Sequence, residues 1–130
     1  MLIIILAEVF LASLMNIEQI REYCIKKKGV TEEFPFDEDT LVFKVMGKIF
    51  LLASLETVPL QINLKCDPEK TIELREEYEA VQPGYHMNKK HWNTVVIDGS
   101  ILTSKIFDWI DDSYLLVVAG LRKSDIKKLI

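Results

Sequence analysis

The stretch PGYHMNKKHW, Pro83 to Trp92, gathers both histidines of the chain, His86 and His91, with Tyr85, Asn88, Lys89, Lys90 and Trp92. Imidazoles in such company are candidates for proton transfer, for metal binding or for contact with a polyanion. A zinc site takes three or four ligands, usually with closer pairs such as C-x2-C or H-x3-H. His86 and His91 are five apart, and Cys66 or Asp67 could join them only through the fold. Turn and packing roles suit the two histidines better, and no metal or other cofactor is expected.

Nucleophilic chemistry finds no stronger footing. There is no G-x-S-x-G elbow. Cys24 sits within an amphipathic helical stretch, on its buried side. Cys66 stands just before a helix N-terminus, where the dipole favours a thiolate, but the neighbouring Asp67 carboxylate opposes it. Packing is the expected role of both thiols. The five glycines are scattered and form no phosphate-cradling loop. The carboxylates of DPEKTIELREEYE fall at every helical phase, the pattern of a solvated face rather than an acid–base pair. No catalytic residue is assigned, and an enzyme is not expected.

The basic features are more suggestive. Gln82 to Asn93 contains no acid, while Lys89 and Lys90 are adjacent. Lys44 and Lys48 bracket Met46-Gly47, and Arg122, Lys123, Lys127 and Lys128 crowd the C-terminus. Ammonium groups on protruding turns neutralise phosphates, and Asn88, His86 or an aromatic nearby can touch sugar or base. The competing reading is a non-catalytic module for binding a protein or a small ligand, its loop fixed by Tyr85, His86, His91 and Trp92, with the lysines keeping the loop wet.

These residues need elements to hold them. Asn16 and Gln19 form a variant capping box ahead of a helix over about 17–28, whose apolar face carries Ile17, Ile20 and Cys24. Lys26-Lys27-Lys28-Gly29 supplies cations and a stop at its C-terminus. Leu41–Val45 and Lys48–Ser54 read as a hairpin turning at Gly47. Leu60, Ile62 and Leu64 alternate with Gln61, Asn63 and Lys65, the pattern of a strand with one wet face. Asp67-Pro68 opens a helix over about 68–77, Asn93–Asp98 is a strand, and the longest helix spans about 102–119. A last helical turn is capped by Ser124. The order helix, three strands, helix, strand, helix predicts an α+β fold, an antiparallel sheet with helices packed mainly on one face.

A length of 130 residues suits one domain, and 49% hydrophobic with 28% charged residues suits a filled core and a polar surface. The net charge of −4 argues against coating nucleic acid by bulk charge and leaves room for a local basic patch. Residues 1–14, MLIIILAEVFLASL, are too few to span a membrane and lack the cationic start of a signal peptide. They read as an apolar leader, an extension from an upstream start codon or an arm that docks on the body or on a second copy; residues 15–130 form the domain. A cytoplasmic location is expected, as a monomer or homodimer.

Three blocks in order, FPFDEDTLVFKVMGKIFLLASL, LKCDPEKTIELREEYEAVQPGYHMNKKHWNTVVIDGSI and DSYLLVVAGLRKSDIKKL, resemble the YjbR/MmcQ family over residues 15–130. The resemblance implies a CyaY-like (frataxin-like) fold and a DNA-binding protein of the "double wing" type. One wing would then be the hairpin around Lys44, Met46, Gly47 and Lys48. The other would hold His86, Asn88, Lys89 and Lys90, with Tyr85, His91 and Trp92 positioning the loop. The acid-rich helix is the second one, and no iron site is carried over.

Overall fold

The computed structural model of the chain describes residues 15–85 and 87–130; the leader and His86 lie outside them. Helix α1 (Ile17–Ile25) opens with the expected reciprocal box: Asn16 Oδ1 accepts from Gln19 N and Gln19 Oε1 from Asn16 N, both at 3.0 Å. It ends before the lysine run, with Gly29 at φ +74° turning the chain out. Then come β1 (Val30–Glu33), β2 (Thr40–Val45), β3 (Lys48–Ser54), β4 (Gln61–Lys65), α2 (Pro68–Glu77), β5 (Val81–Pro83), β6 (Trp92–Val96), α3 (Thr103–Ala119) and α4 (Lys123–Lys128).

The strands make one antiparallel sheet in the order β1-β2-β3-β4-β6-β5. The α+β reading therefore holds, but β1 and β5 were missing from it. Both are edge strands of three or four residues, VTEE and VQP, too short to show alternation. Pro83 is tolerated because β5 is an edge. The α2 and α3 boundaries fall where the caps and apolar spacing placed them, within a residue. The expected caps at Asp67 and Ser124 do not form: Asp67 makes no side-chain cap bond, and Arg122 is the residue that precedes α4.

One sheet face carries the core. Leu41, Phe43 and Val45 of β2 face Leu51 and Ala53, then Ile62 and Leu64, then Val95 and Val81, and against them pack Ile20 and Cys24, Leu74, and Ile106, Trp109, Ile110 and Val117. The other face is not simply wet. Asn63, expected on the solvated side, is 8% exposed, and its Oδ1 accepts from Thr94 Oγ1 across the β4–β6 pair at 2.6 Å. Among the described residues, no helix is long and apolar enough to cross a membrane.

A bulge ties the longest helix to the sheet. The β2–β3 register skips Phe50, which sits between the Phe43–Leu51 and Lys44–Ile49 pairs, so its carbonyl leaves the ladder. Ser113, fully buried in α3, donates to that carbonyl at 2.5 Å and accepts from Lys65 N at 2.9 Å. One hydroxyl thus satisfies β3 and β4 together. Ser113→Ala leaves two backbone groups without their partner and is expected to cost about 1–3 kcal/mol. Urea unfolding should show a lower midpoint at unchanged slope; an unaltered midpoint would show that the hydroxyl is dispensable.

Candidate nucleic-acid interface

Antiparallel register decides where the two turns lie. Val45 pairs with Lys48 across the β2–β3 turn, β3 runs antiparallel to β4 through Leu51–Leu64, and β4 ends at Lys65 opposite Trp92, where β6 begins. Pro83, the last residue of β5, pairs with Asn93. The Met46-Gly47 turn and the 84–91 loop therefore emerge from the same end of the sheet. Three strand spacings separate them, about 14 Å.

The hairpin wing is a tight turn with Met46 at φ +49° and Gly47 at φ +82°. Lys48 is exposed there and, among the described residues, has no ion pair. Lys44 is differently placed. It lies back along β2 and pairs with Glu33 of β1 at 2.7 Å, so its charge is already answered on the sheet. Met46 N donates to Gly29 O at 3.0 Å, joining this turn to the connection that follows α1 and bringing Lys26 and Lys28, both exposed, to the same corner. Lys27 turns inward instead: it pairs with Asp111, above the rings of Tyr23 and Tyr114.

The loop wing is held mainly by its backbone. Gly84 N donates to Trp92 O at 3.0 Å, Tyr85 N to Thr94 Oγ1 at 3.1 Å, and Cys66 N to His91 O at 2.7 Å. A Cβ on Gly84 would come within 2.9 Å of Trp92 O, so only glycine allows this approach. Asn88 Oδ1 accepts from Lys90 N at 2.9 Å, a local turn that occupies one face of its amide. Lys89 Nζ bends back to Gly84 O at 3.1 Å, while Lys90 is exposed with no ion pair among the described residues. Tyr85 is 70% exposed, and its backbone N–H makes its tie to β6. Trp92 is half-buried within β6, against Gly84, and His91 acts through its carbonyl.

The strongest support comes from α2, whose many carboxylates mark it in the sequence as a solvated acidic helix. Arg75 sends Nε to Asn93 Oδ1 at 2.7 Å and Nη2 to Trp92 O at 3.2 Å and to Lys89 O. Asn93 Nδ2 returns to Thr71 O, and Thr71 Oγ1 lies 3.3 Å from Lys90 O. Arg75 is the only arginine in an acid-rich stretch that precedes the basic loop, which is the one hint the sequence offered.

The thiols are packing groups. Cys24 is fully buried, and burial pushes its thiol up to about 12, with Lys27 opposing the rise and Asp111 adding to it. Burial also raises Cys66, against the opposing pull of Lys70. Beside Cys66, Lys70 pairs with Asp112 at 3.0 Å across a groove of about 340 Å³ between α2 and α3. A cavity under this groove, lined by Leu64, Leu74, Val95 and Trp109, measures about 10 Å³, about one water's worth of space. No group of three or more His, Cys, Asp or Glu suited to a metal occurs among the described residues.

Two outcomes are expected. Arg75→Met should speed amide exchange across 84–92 by about tenfold or more, while exchange in β2 and β3 stays unchanged; equal protection in both proteins would remove Arg75 from the loop's support. In the folded chain Cys24 keeps its proton up to about 12, against an ordinary value of 9.0. Its contribution is therefore complete below pH 9 and is lost as pH rises through that window, because the unfolded chain deprotonates first. Urea unfolding at stepped pH should show this alkaline decline, and Cys24→Ala should flatten it.

Comparison with known proteins meets this geometry. The YjbR family model matches residues 25–116. The uncharacterized protein YbdF of Escherichia coli O157:H7 is 47% identical over 97 residues, 74% of this chain and 79% of that protein. The uncharacterized protein YjbR of Escherichia coli K12 is 33% identical over 117 residues, covering 89% and 98% respectively. The crystal structure of Deinococcus radiodurans DR2400, which carries the DUF419 domain, superposes with a TM-score of 0.84 at 38% identity, over 90% of this chain and 89% of that one. A Pseudomonas syringae crystal structure gives 0.69 at 31%, over 78% and 98%. With its hairpin, its Arg75-braced loop and its sheet order in place, the chain belongs to the YjbR family.

Proposed function

We propose that the chain is a non-catalytic DNA-binding protein that meets duplex phosphates with the turn-bearing end of its sheet, in the double-wing manner of a CyaY-like fold. The observation that carries this reading is the shared end of the two turns, about 14 Å apart. That span is close to the width of a major groove, about 12 Å. Lys48 on one side and Lys90 on the other would then face the two phosphate rows, while Lys26 and Lys28 extend the cationic corner beyond the hairpin. Lys44 and Lys89 support the wings through Glu33 and Gly84, and each can turn outward only by giving up that bond. Asn88 keeps its amide nitrogen for sugar or base, and His86 lies two positions before it in the chain. Both thiols are free, which suits a reducing, cytoplasmic setting.

Asp67 and Glu69 lie between the wings at the start of α2 and dilute the positive field. Few phosphates are neutralised, so affinity belongs to the non-specific range, about 10⁻⁴–10⁻⁶ M at physiological salt, with a shallow salt slope. Titration of a labelled duplex at 50 and 200 mM salt should show this, and Lys48→Ala/Lys90→Ala should reduce both affinity and slope. No binding at the lower salt, or binding indifferent to the double change, removes the proposal.

A further inference from the structure

The opposite end of the sheet has its own chemistry. Four connections emerge there: 34–39, 55–60, 78–80 and 97–102. They hold Asp37, Glu38, Asp39, Glu56, Glu79 and Asp98 and contain no Lys or Arg. They also expose large apolar side chains: Phe36 is 65% exposed, Phe34 52%, Val58 95% and Leu102 76%. A chain of this size rarely leaves so many aromatic and aliphatic groups in water at one end without a use for them.

The surface is built rather than loose. Asp37 Oδ1 accepts from Asp39 N at 2.9 Å and from Thr40 N at 2.7 Å, fixing the 34–39 connection as a turn. Leu55 N donates to Asp39 O at 2.8 Å and locks the second connection to the first. Phe34, Pro35 and Phe36 line a hollow with Asp37 and Glu38; Leu55, Val58, Pro59 and Leu60 line another with Ile17 and Ile97. Asp39 and Glu56 meet between the two connections; a side-chain hydrogen bond between the two carboxyl groups, and then their mutual repulsion, raise the Glu56 carboxyl above its ordinary value. A cation that comes between them can take the place of the proton that the pair shares.

We propose that this end docks a cationic amphipathic segment of a partner protein, whose apolar side chains cover Phe34, Phe36 and Val58 while its Lys or Arg residues meet Glu38, Asp39 and Glu56. Charge complementarity selects this occupant: an anionic or neutral segment would satisfy the aromatic groups but strand or repel the carboxylates. A second copy of this chain would have to offer its own turn-bearing end, and the contact would then be head-to-tail, building a ring or an open series of copies. The site is independent of the DNA reading, because it lies at the other end of the strands.

The test is fluorescence anisotropy with the full chain and a labelled helical peptide bearing Leu at i, i+3, i+4 and i+7 and Lys elsewhere. Controls are a scrambled peptide of the same composition and a Lys→Glu version. Binding of the amphipathic cationic peptide at least tenfold tighter than either control is the expected result. Phe34→Ser/Phe36→Ser and Glu38→Gln/Glu56→Gln should each weaken it at least fivefold, with unchanged thermal melting and unchanged duplex binding. Equal affinity for the scrambled peptide, or affinity untouched by the phenylalanine pair, would reduce the effect to bulk charge and overturn the proposal. Concentration-dependent sedimentation as a ring or an open series of oligomers, abolished by the same variants, would overturn it in favour of the second copy. Loss of duplex binding with peptide binding intact would instead count against the DNA reading alone.

Discussion

The register of β4 between β3 and β6 governs the molecule's chemistry. It sets Leu51 against Leu64 on one side and Lys65 against Trp92 on the other, so the hairpin turn and the 84–91 loop must open from the same end. A slip of one residue would turn Ile62 and Leu64 out of the core and bring Asn63 in, so burial itself enforces the pairing. The two basic turns are neighbours because the core allows no other alignment.

Antiparallel order then sorts the charges. Each connection returns the chain to one end or the other, and the lysines of α1's exit, the hairpin and the loop fall at one end while the carboxylates of 34–39, Glu56, Glu79 and Asp98 fall at the other. A net charge of −4 hides this polarity. Within the basic end, ion pairs grade the lysines. Lys27 is spent on Asp111 and Lys44 on Glu33, whereas Lys48 and Lys90 project. An ammonium group already matched by a carboxylate gives up that partner to reach a phosphate, so exposure and pairing rank these positions more sharply than sequence proximity to a turn.

The support for the loop runs through polar groups in a buried setting. Arg75, Asn93, Thr71 and Thr94 bind carbonyls, amides and one another beneath 84–92. Ser113 does the same for the bulged β3 and the end of β4. Apolar packing sets the sheet and its covering helices; these few hydrogen bonds fix the loop and the helix register on it, where one unmet donor or acceptor is costly.

Local signals in the chain were enough for α1's capping box, the Met46-Gly47 hairpin, the extents of α2 and α3, the buried thiols and the fold class, because caps, positive-φ turns and apolar periodicity act between residues a few positions apart. The candidate loop was visible as an acid-free, lysine-bearing stretch. Tertiary structure decided the rest. β1 and β5 exist only as partners of longer strands, being too short to hold an extended form alone. The ties of Lys44 to Glu33 and of Arg75 to Lys89 O and Trp92 O cross between elements, as does the meeting of the two turns. Such contacts depend on which strands pair and in what register, and no window of neighbouring residues carries that information.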